Sequence, residues 1–229
     1  MKDCWFSEVC SGYLDCNICQ RKGLYYLASK LYIDQTNIPL RYLSLKLTDL
    51  KLAEEAAEIT RYMANIRDLV NEGKGLYAYG TQTGTGKTSI CCIILIRYLF
   101  RSLLEDPYNT DNRRVFYINT TEFLDRIRKS FNNKDQELDG VLEELMDIDH
   151  APKLILFDDL GAEKPSDWVR ERLYTLINFR VSNNLASLYT SNQSLAHLHP
   201  RIGSRIVSRL EGSAKQIEFT GPDHRRCDW

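Results

Sequence analysis

The chain has 229 residues, 43% of them hydrophobic and 27% charged, and a formal net charge of −1 at pH 7. That length accommodates one main domain with a small appendage, and the near-zero charge excludes a global pull on nucleic acid, leaving only a local basic patch or an assembly to supply one. No apolar run reaches the roughly 18 residues of a membrane span and no basic-then-apolar leader opens the chain, so a cytoplasmic protein is expected, whose seven cysteines are thiols or metal ligands rather than disulfides.

Residues 1–36 read as a first unit, with cysteines at positions 4, 10, 16 and 19 and Trp5 and Phe6 beside the first. Cys4, Cys10, Cys16 and Cys19 offer four soft ligands, and the Cys16-x-x-Cys19 pair has zinc-knuckle spacing. A tetrahedral zinc ion would fix a segment too poor in apolar residues to build its own core. The alternative is free thiols or a redox pair.

Residues 37–72 read as a linker and an N-terminal helix. "NIPLRY" is extended or turned because proline disfavours helix in the residue before it. Residues 43–70 carry apolar side chains at three- and four-residue spacing, which predicts one amphipathic helix ended by "NEGKG".

From residue 73 to 229, strands and helices alternate. "LYAYG", "RRVFYIN", "KLILFDD", "ASLYTSN" and "AKQIEF" read as strands; helices start at Lys87 and run through "TEFLDRIRKSF", "QELDGVLEELMDI", "WVRERLYTLINFRV" and "RIGSRIVSRL". The alternation predicts an α/β fold with a largely parallel sheet covered on both faces. Cys91 and Cys92, on the apolar helix, read as core thiols.

The stretch "YGTQTGTGKTS" carries the chemistry of a phosphate loop. A triphosphate needs inward-turned backbone N–H groups, a helix N-terminus, a lysine at the outer phosphates and a hydroxyl for Mg²⁺. Gly84, Thr85, Gly86, Lys87, Thr88 and Ser89 supply these parts. The first glycine of the pattern is displaced: Thr81 stands at its position and Gly80 precedes it, which we read as a loop longer by one residue.

A second site follows the apolar strand in "KLILFDDL", where Asp158 fits a magnesium-linked role with Thr88, and Asp159 fits the orientation or deprotonation of a water. Asn192 ends a later strand, where its amide can hold that water, although asparagine there is equally a turn residue. Arg201, Arg205 and Arg209 recur every fourth residue, read as one helix face that is either solvated or supplies an arginine to a neighbouring subunit's nucleotide. Arg126, Arg128 and Lys129 give a basic patch for a nucleic-acid strand, whereas Phe116 and Tyr117 lie in a buried-strand pattern and read as core.

"YAYGTQTGTGKTS", "LILFDDLGAEKPSDWVRERLYTLINFR", "YTSN" and "GSRIVSRL", in that order, resemble the AAA+ helicase loaders of the DnaC/DnaI type, especially small versions carried by phages and prophages. The resemblance extends from about residue 38 onward. It implies an AAA+ phosphate-loop NTPase core binding ATP and Mg²⁺, with Asp158 and Asp159 as the Walker B pair and Asn192 as sensor 1. It further implies Arg209 as the arginine finger with Arg205 as second choice, and "NIPLRY" near the adenine. Loaders of the DnaI kind carry an N-terminal zinc module that touches the helicase, which is the role implied for the cysteines.

The implied function is ATP-dependent loading of the replicative DNA helicase onto single-stranded DNA, with self-association through ATP at subunit interfaces. General AAA+ ATPases have glutamate where Asp159 stands, so turnover is expected to be slow and stimulated by partners. "FTGPDHRRCDW" leaves no room for a separate C-terminal lid. Rival readings are a transposition helper ATPase of the IstB type and a non-hydrolysing, nucleotide-bound helicase adaptor. A nucleotide kinase is disfavoured because no arginine-rich lid for a second phosphorylated substrate is present.

Overall fold

The computed structural model describes residues 36–42, 45, 47, 50, 55–106, 113–133, 136–162 and 166–223, with the side chains of 130–140 outside that description. Cys4, Cys10, Cys16 and Cys19 therefore lie outside the described residues.

Five short strands form a wholly parallel sheet: β1 (Gly75–Tyr79), β2 (Val115–Asn119), β3 (Leu154–Asp158), β4 (Ala186–Ser191) and the more polar edge strand β5 (Ala214–Glu218), in the order β2-β3-β4-β1-β5. Representative register pairs are Phe116 with Ile155, Leu156 with Leu188 and Tyr77 with Tyr189. Between the strands run α3 (Lys87–Glu105), α4 (Thr120–Asn133), α5 (Gln136–Leu145), α6 (Asp167–Ser182), α7 (Leu195–Ile202) and α8 (Ser204–Ser213), preceded by α1 (Glu55–Ala64) and α2 (Ile66–Asn71).

The strand order dictates the layers. The chain passes from β1 to the β2 edge in one direction and returns through β3 and β4 to β5 in the other. Parallel crossovers are right-handed, so opposite directions place their helices on opposite faces. One face accordingly carries α3 alone among the crossover helices, packed on Leu76, Ala78, Val115, Tyr117, Leu154 and Leu156. α1, α2, Ile38 and Tyr42 complete its cover. The other face, with Tyr77, Phe116, Ile155, Phe157 and Tyr189, is covered from α4 to α8. Alternation along each strand sorts the residues between these faces.

Two sequence expectations change. Residues 43–70 are not one helix: Leu45, Leu47 and Leu50 lie outside any α-helix, and a break at Asn65 separates α1 from α2. The Asn65 amide and the Asn65 N–H both donate to the Arg61 carbonyl, at 2.9 and 3.3 Å, while the Asn65 backbone leaves helical torsions at φ −107°, ψ 17°. "RIGSRIVSRL" is likewise two helices, because Gly203 at φ 94° ends α7 and opens α8. Arg201 therefore does not share a helix face with Arg205 and Arg209.

Candidate nucleotide-binding site

The site lies where β1, β3 and β4 end. α3 leaves β1 toward one face while the helices after β3 and β4 lie on the other, so the strand ends open a crevice of the kind that receives ligands in parallel sheets. A cavity of about 770 Å³ fills it, lined by the loop and helix start from Thr83 to Ser89 together with Asp159, Asn192, Arg41, Tyr42, Leu45 and Leu50. The volume is within the usual range for a small-molecule ligand.

The phosphate loop takes its shape from two left-handed residues, Gly84 at φ 74° and Gly86 at φ 93°, the torsions from which an anion-binding turn ahead of a helix is built. The displaced glycine has a packing reason. A Cβ at Gly80 would stand 2.2 Å from the Phe219 carbonyl oxygen, because the chain after β5 runs against the end of β1 and Phe219 N–H donates to Tyr79 O at 2.7 Å. A side chain at 80 is excluded by this neighbour, so the position of that glycine has a packing reason.

Lys87 is 6% exposed, and its ammonium donates to Gly80 O at 3.1 Å, Gln82 O at 2.8 Å and Thr85 Oγ1 at 3.2 Å. A buried ammonium on loop oxygens inside an N–H cradle fits anionic phosphate. Thr88 Oγ1 donates to Asp158 Oδ1 at 2.7 Å, so a hydroxyl and a carboxylate, the hard oxygen donors magnesium prefers, stand side by side. These residues fit a magnesium nucleotide.

Asp158 is 3% exposed and is held by three hydroxyls. Besides Thr88, Thr190 donates to Oδ1 at 2.6 Å and Tyr117 to Oδ2 at 2.7 Å. Burial and the neighbouring Asp158 push the Tyr117 phenol far above its ordinary pKa, which keeps it a donor. Thr190 Oγ1 also accepts the Asp159 N–H at 2.9 Å, and Asp159 itself has φ 56°, an uncommon left-handed conformation for aspartate. Leu160 N–H donates to Thr190 O at 2.8 Å and Ser191 Oγ to Leu160 O at 2.7 Å, which ties the ends of β3 and β4 together and sets Asp159 beside Asn192 at the cavity.

Gly84, Thr85, Gly86, Lys87, Thr88, Ser89, Asp159 and Asn192 thus line one cavity, with Asp158 bonded beneath it through Thr88. Arg41 and Tyr42 of "NIPLRY" line it too; Arg41 Nη2 donates to Tyr42 OH at 2.8 Å, and this bond raises the guanidinium pKa further. Arg205 and Arg209 are exposed on α8 and do not line their own chain's cavity; Arg205 stands 5.9 Å from the Tyr174 ring. Arg126, Arg128 and Lys129 are exposed on α4, with Arg128 over the Trp168 ring at 5.0 Å, while Phe116 and Tyr117 are buried as expected. Cys91 and Cys92 are buried thiols whose pKa burial pushes up. Among the described residues no cluster of three or more His, Cys, Asp or Glu side chains could hold a metal, and no helix is long and apolar enough to cross a membrane.

Sequence reasoning missed Tyr117 and Thr190 as site residues. Their signal was alternation: both lie on the same sheet face as Asp158, one strand to either side.

A parallel sheet with a phosphate-loop pattern after its first strand and paired aspartates at the end of its third is the arrangement of a phosphate-loop NTPase fold. Within that class the chain resembles the DnaC/DnaI-type helicase loaders. No family model matches it. It is 25% identical to the replicative helicase loader DnaI of Bacillus subtilis (strain 168) over 219 residues, 90% of this chain and 65% of that protein, and so spans less than two thirds of that relative's length. The crystal structure of DnaI superposes with a TM-score of 0.62 at 25% identity, covering 81% of this chain and 96% of that one. The DnaC helicase loader gives a TM-score of 0.62 at 23% identity, covering 79% and 99%. The replication initiator DnaA bound to AMPPCP and single-stranded DNA gives 0.58 at 18%, covering 77% and 50%. The latter two likenesses concern the fold alone.

Proposed function

We propose that this protein is an ATPase that loads a replicative DNA helicase onto single-stranded DNA at replication initiation, working as an assembly of its own copies. The carrying observation is the convergence of Lys87, Thr88, Asp159 and Asn192 on one cavity above Asp158, in a chain that resembles DnaI.

Bound ATP with Mg²⁺ supplies the phosphoryl group and the charge that activates it. Lys87 would leave its loop oxygens for the outer phosphates, and Thr88 and Asp158 would hold the metal. Asn192 orients a water, and Asp159 accepts its proton. Aspartate is one methylene shorter than glutamate at this position, so turnover in the lone chain is slow. Arg209, with Arg205 as the second candidate, completes the cavity of the neighbouring copy, which accounts for their exposure away from their own cavity. Arg126, Arg128 and Lys129 form the strand-binding patch, and Cys4, Cys10, Cys16 and Cys19 hold zinc in a module that docks on the helicase.

The test is ATP turnover at rising protein concentration, with and without single-stranded DNA, for the native chain, Lys87→Ala and Arg209→Ala. Both variants alone should fall to background, and mixing them should restore part of the turnover, since one retains an intact arginine and the other an intact cavity. Nucleotide binding without turnover above Lys87→Ala under any condition would replace the loader ATPase with the nucleotide-bound adaptor. DNA affinity unchanged on replacing Arg126, Arg128 and Lys129 together would remove the patch from the reading. Full helicase binding by Cys16→Ser, Cys19→Ser would remove the zinc module's role.

A further inference from the structure

The segment 36–42 is hydrogen-bonded to Tyr117, whose side chain reaches the nucleotide site. β2 is an edge strand, so Tyr117 presents its backbone N–H and C=O away from the sheet. Tyr117 N–H donates to Thr36 O at 2.8 Å, and Tyr117 O accepts from Asn37 Nδ2 at 3.0 Å. The side chain of the same residue points onto the sheet face that carries α3, where its hydroxyl donates to Asp158 Oδ2. One residue therefore grips the segment with its backbone and the carboxylate with its side chain.

The segment is built to stay in this seat. Thr36 is 1% exposed and its Oγ1 accepts the Ile38 N–H at 3.3 Å. Asn37 is left-handed at φ 57°, a turn that aims its amide at β2. Ile38 and Tyr42 are buried against the α3 face, and Arg41 and Tyr42 then enter the lining of the nucleotide cavity. Thus the segment meets the site twice, at the sheet edge behind Asp158 and at the cavity wall before it.

We propose that Tyr117 is a positioning residue that couples the seating of segment 36–42 to magnesium-dependent nucleotide binding at Asp158. The inference rests on the reading of the cavity as an ATP site. The Tyr117 hydroxyl holds Oδ2 and so orients the carboxylate, with Oδ1 on the hydroxyls of Thr88 and Thr190, the first of which lines the cavity. A shift of the segment displaces the Tyr117 backbone and with it this hydroxyl. By linkage the coupling is reciprocal: magnesium nucleotide tightens the segment, and whatever holds the segment in place strengthens magnesium nucleotide binding. The residues before Thr36 carry the four N-terminal cysteines, so the coupled segment is the covalent path between that part of the chain and the ATP site.

The experiment titrates the full chain with a fluorescent, non-hydrolysable ATP analogue in Mg²⁺ and in EDTA, for the native protein, Tyr117→Phe, Asn37→Gly and the double variant. Asn37→Gly keeps the left-handed backbone and removes the amide donor. Metal-free affinity should be unchanged in all four, while the gain on adding Mg²⁺ falls about tenfold in Tyr117→Phe, the scale of a hydrogen bond to a charged group. Asn37→Gly should lose a smaller part, and the double variant should lose no more than Tyr117→Phe alone. A full magnesium gain in Tyr117→Phe, or losses that multiply in the double variant, overturns the coupling while leaving the ATP site standing. A native chain that binds no analogue with or without metal overturns both.

Amide exchange of the native chain gives a check that needs no variant. Adding Mg²⁺ to nucleotide-saturated protein should slow exchange in the peptide covering 36–42, and unchanged exchange there refutes the coupling.

Discussion

Two buried charges at opposite ends of the sheet are satisfied in different ways. Arg180, in the last turn of α6, is 0% exposed and donates to Pro152 O at 3.0 Å, Lys153 O at 3.4 Å, Ala186 O at 2.6 Å and Ser187 Oγ at 2.8 Å, where β3 and β4 begin. Asp158, where β3 ends, is held by the hydroxyls of Thr88, Thr190 and Tyr117. Three of the arginine's partners are backbone carbonyls that cannot turn away without unravelling the strands. The aspartate's partners are hydroxyls on rotatable bonds, which can give up one acceptor site to a ligand. A charge fixed by backbone is a staple, whereas a charge held by hydroxyls is ready to exchange partners. Burial lowers the Arg180 pKa to about 9, with the neighbouring Tyr189 acting in the opposite direction.

Removal of either charge separates the two roles. Arg180→Ala strands several buried acceptors at once, each costing about 1–3 kcal/mol, and should destabilise the fold by about 3–5 kcal/mol in urea unfolding. Nucleotide affinity of the molecules that remain folded should not change. Arg180→Lys, with three donors and no planar fork, should recover only part of the loss. A small effect of Arg180→Ala would mean that the strand starts are held by apolar packing alone.

Asp158→Asn should act in the opposite sense on stability. The amide oxygen still accepts from Thr88 and Thr190, its nitrogen can donate to the Tyr117 oxygen, and a buried charge has been removed. The unliganded protein should be equally stable or more stable by about 1 kcal/mol, while magnesium nucleotide affinity falls by about 100-fold. Strong destabilisation of the unliganded chain would show Asp158 to be a second staple, and the contrast with Arg180 would collapse.

The sequence made one of these ends far easier to read than the other. The placement of the phosphate-loop residues, the strand "LILFDD" and Asn192 at one edge of the sheet was legible because such patterns set residue types at fixed offsets from a strand end. Arg180 was not, since nothing local marks an arginine in "LINFRV" as buried: its partners lie 6 to 28 residues away, on two strands that only the tertiary fold brings under α6. Tyr117 read correctly as a core residue and incorrectly as nothing more, because its hydroxyl acquires a partner only when β3 pairs beside β2. The single helix expected across 43–70 failed at Leu45, Leu47 and Leu50, which lie outside any α-helix, and at Asn65, whose backbone leaves helical torsions although the apolar spacing runs on. "RIGSRIVSRL" failed at Gly203 because a four-residue arginine repeat continued through the break.

A third charge completes the series at its exposed end. His150 Nδ1 pairs with Asp147 Oδ2 at 2.7 Å just before β3, with both side chains about half exposed. The hydrogen bond from His150 to Asp147 raises the imidazole pKa, and the Asp149 N–H followed by His150 lowers that of the Asp147 carboxyl. The histidine's contribution is full below its unfolded pKa and is lost as pH rises through its raised folded value. The carboxylate's contribution is present above its unfolded pKa and is lost as pH falls through its lowered folded value. The pair therefore stabilises only between those limits, and solvent screening keeps its effect small. His150→Gln should lower the melting temperature by a degree or less near pH 6, with the difference closing by about pH 9 as the native imidazole loses its charge. A gap that persists unchanged at the higher pH would mean that the His150 ring acts by packing, and that exposure alone does not rank these three charges.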